Sequence, residues 1–178
     1  MDTFDVHMLM AVIVIPLLAA SIEMLAGTRI SERHHVHHDT YAVSLVVPRT
    51  LVLVMVFMGA LGAAVGWLCH VGVFASDPSV PLAFFIMFQM TLFIMVIGAM
   101  RYQVMAYGDL MVVRPAYGFT RTIRYDQIDC MTWTSSFLTP RMRDVRVHSL
   151  QGDTVRLWSL LDIEQILLRI DRYDVLVG

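Results

Sequence analysis

The sequence predicts a membrane α-helical anchor of three transmembrane helices, followed by a small β-rich sandwich or barrel with a C-terminal amphipathic helix. Three observations predict it. The 178-residue chain is 57% hydrophobic with a mean hydropathy of +0.66, well above the roughly 45–50% apolar content of soluble domains. Three uninterrupted apolar runs fall at about residues 6–26, 50–71 and 80–100. After Met100–Arg101 no such run recurs, and the hydrophobic period changes to two.

Each run holds about twenty residues, enough at 1.5 Å per residue to cover the roughly 30 Å hydrocarbon core as helix. In lipid only a helix or closed barrel satisfies the backbone polar groups. Pro16 is a candidate kink in the first run, while Pro48 and Pro81 suit the starts of the second and third. The leading residues 1–7 carry Asp2 and Asp5 but no Arg, unlike a signal peptide, so the first span is expected to remain in the mature protein.

Arginine placement sets the orientation. All 13 basic residues are Arg. Arg29, Arg33 and Arg49 lie between the first two spans and Arg101 follows the third, whereas the loop between the second and third has none. The positive-inside rule then puts the N-terminus outside and the C-terminal domain in the cytoplasm. Cys69 and Cys130 fall on opposite sides in this topology and form no disulfide framework.

Gly59, Gly62 and Gly66 share one face of the second span in a small-xxx-small pattern that permits close helix approach. Packing within the three-helix bundle is the first expectation for this face, and a homo-oligomer through the second span is the alternative. Glu23 lies a turn from the cytoplasmic end of the first span. Snorkelling to the interface with Arg29 or Arg49 as partner is expected there, rather than a functional intramembrane carboxylate. Gln89 and Thr91 in the third span are expected to make interhelical hydrogen bonds.

Beyond Arg101, strands are expected at 102–107, 110–114, 119–125, 128–134, 144–150 and 154–160, separated by turn signals at Gly108-Asp109, Pro115–Gly118 and Gln151-Gly152-Asp153. A final helix starts from Asp162 as N-cap, with Gln165 three residues on, and carries the stripe Ile163, Ile166, Leu167 and Ile170. Such a stripe needs a sheet to cover.

Tyr102-Gln103-Val104, Gly108-Asp109-Leu110-Met111-Val112, Thr122-Ile123-Arg124-Tyr125-Asp126-Gln127-Ile128 and the strand from Thr154 to Trp158 running into Asp162-Ile163-Glu164 carry a resemblance. Together they resemble the bacterial pleckstrin-homology-like (PH-like) domains anchored by transmembrane helices. Residues 101–178 are therefore expected to form a cytoplasmic PH-like domain, in a multi-pass protein of the bacterial plasma (inner) membrane. Many such proteins carry Arg followed closely by Gly in the mid-domain loop; Phe137–Arg143 has no Gly. The resemblance brings no catalytic residues.

Two clusters stand out as candidate sites. His34, His35, His37 and His38 beside Asp39 could ligate a metal from one helical face or titrate near neutral pH. Membrane di-iron enzymes need several such boxes, and His7, His70 and His148 do not form a second one. A solvated linker is the plainer expectation. Trp133, Phe137, Arg141, Arg143 and Arg146 form a basic, aromatic candidate surface for anionic headgroups or a protein partner, each basic residue near a membrane contributing about 1 kcal/mol. A solvated strand edge competes with that reading.

The expected function is non-enzymatic: an interaction module held at the bilayer surface, binding a protein partner or anionic lipid, with no cofactor. The formal charge of −2 gives no nucleic-acid signature. An accessory subunit of a transporter or secretion complex, working through the Gly59–Gly66 face, is the alternative. A metal-dependent enzyme using the histidines comes third.

Overall fold

The computed structural model describes residues 3–30, 39–135 and 143–177. Two compact units emerge. The first holds α1 (Thr3–Ile30), α2 (Val46–His70) and α3 (Ser79–Arg101). All three are long and apolar enough to cross a membrane, and only 17%, 28% and 22% of their apolar windows is buried. Large side chains such as Leu53, Phe57 and Met87 therefore point outward, which suits a surrounding of lipid rather than water.

The small-residue face of α2 meets its own neighbours. A Cβ placed on Gly62 would stand 2.8 Å from Phe85 Cγ, and one on Gly66 would stand 2.9 Å from Leu82 Cδ2. Gly59 meets α1 and α3 together, at 3.0 Å from the Val12 carbonyl oxygen and 3.1 Å from Gln89 Nε2. The face expected to serve either the bundle or a homo-oligomer is filled by the chain itself. A second copy would have to use another side of α2.

Pro16 explains why Gln89 is there. In an α-helix the N–H of residue 16 would bond the carbonyl of residue 12, and proline has no N–H. Gln89, fully buried, reaches across and donates from Nε2 to that Val12 oxygen at 3.0 Å. Gly59 leaves room for the amide to pass. Gln89 Oε1 has no hydrogen-bond partner among the described residues. Thr91, which was expected to bond between helices, instead donates to the Met87 carbonyl one turn back in α3. Glu23 and Arg49 pair at 3.0 Å, with the carboxylate more covered than the guanidinium, as the sequence led one to expect for a residue near a helix end.

The second unit is built on two four-stranded sheets. Its strands are β1 (Asp39–Ala42), β2 (Gln103–Ala106), β3 (Leu110–Arg114), β4 (Arg121–Arg124), β5 (Ile128–Ser135), β6 (Arg143–Ser149), β7 (Thr154–Leu157) and β8 (Leu176–Val177), with α4 (Ile163–Ile170) before the last. One sheet runs β1-β2-β3-β4, the other β7-β6-β5-β8. All pairs are antiparallel except β5 with β8. Val104, Met111, Val113 and Ile123 of the first sheet and Met131, Val145, Val147 and Leu157 of the second are buried, as are all four residues of the α4 stripe. Asp162 caps α4 by accepting from the Gln165 N–H at 3.2 Å, and Asp171 ends it in the left-handed region at φ 50°.

Two strands lie where none was expected. β8 is a two-residue edge, too short to show a period. β1 falls in the segment read as linker between the first two helices, yet pairs along its length with β2, Tyr41 opposite Val104. It is an edge strand with three of its four residues exposed, so no apolar alternation betrays it. Asp39 also pairs with Arg169 of α4 at 3.2 Å.

Replacing Gly62 by Val should destabilise the helical unit by roughly 1–3 kcal/mol through overpacking against Phe85. Gln89→Leu should cost about 1 kcal/mol, the usual size of an interhelical hydrogen bond in a membrane protein. Unfolding of the full chain in mixed micelles checks both; a wild-type midpoint for Gly62→Val would contradict the packing described.

Candidate functional site

The expected surface divides. Directly opposed residues on paired strands share a sheet face, and Trp133 stands opposite Val145 while Arg146 stands opposite Thr132. Val145 is fully buried and Arg146 exposed. Trp133 therefore lies at the margin of the core face, and Arg146 on the other side of the sheet. Arg143, opposite Ser135, keeps the parity of Trp133. Phe137 and Arg141 lie outside the described residues, as do His34, His35, His37 and His38. Among the described residues no three His, Cys, Asp or Glu side chains gather where a metal could be held.

A different constellation is brought together around Tyr102. This residue lies between α3 and β2 and is 2% exposed. Its hydroxyl donates to the Arg156 carbonyl at 3.1 Å and accepts from the Trp158 N–H at 2.9 Å. Its ring stacks on Trp158 with centroids 4.7 Å apart. Burial pushes the Tyr102 hydroxyl up to about 12, against the opposing effect of the Trp158 hydrogen bond. Tyr125, whose hydroxyl donates to the Tyr107 carbonyl at 3.0 Å, is likewise pushed up to about 12 by burial.

Asp144 holds the same edge from the other side. Its carboxylate is buried and accepts from Arg156 Nε at 2.8 Å and the Ser159 N–H at 2.8 Å. Arg156 also donates to the Ser135 carbonyl at 3.0 Å. Residues 156–159, where the chain leaves edge strand β7, are thus fastened by one aromatic and one carboxylate side chain.

Beside the Tyr102–Trp158 stack opens a groove of about 330 Å³, walled by Val113, Val155 and Arg156 and rimmed by Pro115, Tyr117, Gly118, Phe119, Arg121 and Thr154. Gly118 takes φ +96°, a conformation that favours glycine. Its carbonyl accepts from Arg101 at 3.0 Å. Phe119 is 90% exposed and Tyr117 56%. Arg121 pairs with Asp153 at 2.7 Å, both half-exposed. The groove thus offers aromatic faces to a planar or apolar group, with guanidinium charge at its rim.

The alternation of Phe119, Arg121, Ile123 and Tyr125 predicts a strand that includes Phe119. The strand instead begins at Arg121, because the glycine at 118 turns the chain and leaves Phe119 outside the ladder. The signal in the sequence was the aromatic pair around a glycine at a turn. Tyr102 and Trp158 carried no comparable signal, being 56 residues apart.

Compared with known proteins, the chain matches no protein-family model, no curated protein and no solved structure.

Alkali should weaken the β-rich unit. A tyrosine whose folded pKa is raised keeps its proton in the native state after the unfolded chain has lost it. The stabilisation is complete below about pH 10 and lost as pH rises through about 12. At ~1.4 kcal/mol per pKa unit, Tyr102 alone would account for a loss on the order of 2 kcal/mol. Urea midpoints of the full chain between pH 9 and 12 would show it, and Tyr102→Phe should flatten the slope. Asp144→Ala should cost roughly 1–3 kcal/mol, since it leaves the Ser159 N–H and Arg156 without their acceptor and Arg156 can still reach water. A midpoint unchanged by that substitution would contradict the role of the carboxylate.

Proposed function

We propose that this chain is a non-enzymatic integral membrane protein. Its three helices cross the bacterial plasma membrane, and its β-rich unit is a cytoplasmic PH-like module presented at the bilayer surface to a protein partner or anionic lipid. The observation that carries the reading is the join. α3 ends at Arg101 and β2 begins at Gln103, and the one residue between them, Tyr102, is buried in the module.

A second tether supports the same reading. β1 belongs to the connection between α1 and α2, yet pairs with β2, which follows α3. That pairing supports a topology in which the segment after the first span and the domain after the third share one side, as three crossings demand. The same side is the arginine-rich one, which the positive-inside rule makes cytoplasmic. Two sheets closed by α4 are compatible with a PH-like sandwich, and the groove beside Trp158 suits binding. The Gly59–Gly66 face, which the accessory-subunit reading would use, packs against the chain's own residues.

A reporter active only in the periplasm should be silent when fused after Gly178, and a cytoplasmic reporter at the same point should be active. The protein should also stay in membranes washed with alkaline carbonate. A periplasmic signal or release by carbonate would overturn the reading. Stoichiometric iron or zinc in the purified protein, lost with His37 and His38 substitution, would favour an enzyme instead.

A further inference from the structure

We infer that the Tyr117-Gly118-Phe119 turn is a bilayer contact, inserting its aromatic side chains among the phospholipids of the membrane that the helices cross. This rests on the membrane-anchored reading above. Phe119 is 90% exposed and Tyr117 56%, and the turn belongs to no strand. An apolar ring so bare is costly in water, and adjacent exposed aromatic side chains mark an interaction surface.

The occupant follows from the chain's own connectivity. Arg101 is the last residue of α3 and donates to the Gly118 carbonyl at 3.0 Å. The turn is therefore held within one arginine side chain of the point where the polypeptide leaves its third apolar helix. That point lies in the interfacial zone of a bilayer, where aromatic side chains concentrate and arginines snorkel toward headgroups. Gly118, at φ +96°, shapes the turn that presents the two rings. Arg114 precedes the turn in sequence, and positive charge there favours an anionic leaflet, whereas Arg121 after it is paired with Asp153.

Site-directed spin labelling of the full chain in phosphatidylcholine–phosphatidylglycerol nanodiscs tests this, in a Cys69→Ala, Cys130→Ala background. Phe119→Cys removes a side chain with almost no contacts, so folding is preserved. The label at 119 should collide more with oxygen than with a water-soluble nickel chelate, as lipid-inserted labels do. A label that collides mainly with nickel stands in water and overturns the inference. A label shielded from both is covered by protein, a second copy or another partner, and overturns it equally. Phe57→Cys, on the exposed side of α2, separates the two levels. Oxygen preference at 57 without it at 119 refutes the turn insertion alone, while nickel preference at 57 refutes the membrane reading as well.

Discussion

Tyr102 fastens the edge of the second sheet to the start of the first. The chain leaves α3, buries this single side chain, and enters β2 at the next residue. Its hydroxyl makes two backbone hydrogen bonds to residues 156 and 158, and its ring stacks on Trp158. One residue that belongs to the first sheet by sequence therefore secures the edge of the second. An edge strand left with free backbone groups invites pairing with other chains; here one end of that edge is taken up by a side chain from elsewhere in the fold. The groove lies against the same stack.

A parallel economy governs the helices. Proline in α1 removes a donor, a glutamine in α3 replaces it, and a glycine in α2 clears the path between them. Each of the three residues looks ordinary alone. In lipid an unsatisfied carbonyl is costly, so on the membrane reading the three positions are coupled: losing any one removes the reason for the other two. The remaining glycines let Phe85 and Leu82 seat against α2, which turns a generic small-residue stripe into the bundle's own packing surface.

Much of this was legible in the sequence, and the divide is physical. The three helices follow from run length and apolarity, and their ends agree with the expected spans within a few residues. The C-terminal helix is equally local: Asp162 caps it and the four-residue stripe goes to the core. Six strands announced themselves by period or by flanking turns. β1 did not, because it is exposed and held by backbone pairing to a strand about sixty residues later. Trp133 and Arg146, read together as part of one basic and aromatic surface, lie on different sides of their sheet for a related reason. Neighbours in sequence alternate between sheet faces, so Trp133 and Arg146 part company however close they read.

By itself, the sequence determined the number of apolar helices, their approximate lengths, the β-rich character of the C-terminal half, and the charge asymmetry of the loops. These depend on composition and on contacts between near neighbours, which a linear pattern records. Only the tertiary structure decided that the α2 glycines face their own chain, that the segment after α1 joins the sheet after α3, and that Tyr102 meets Trp158. Those are encounters between residues far apart along the chain, selected by shape and by hydrogen-bond supply and demand, and no local period encodes them.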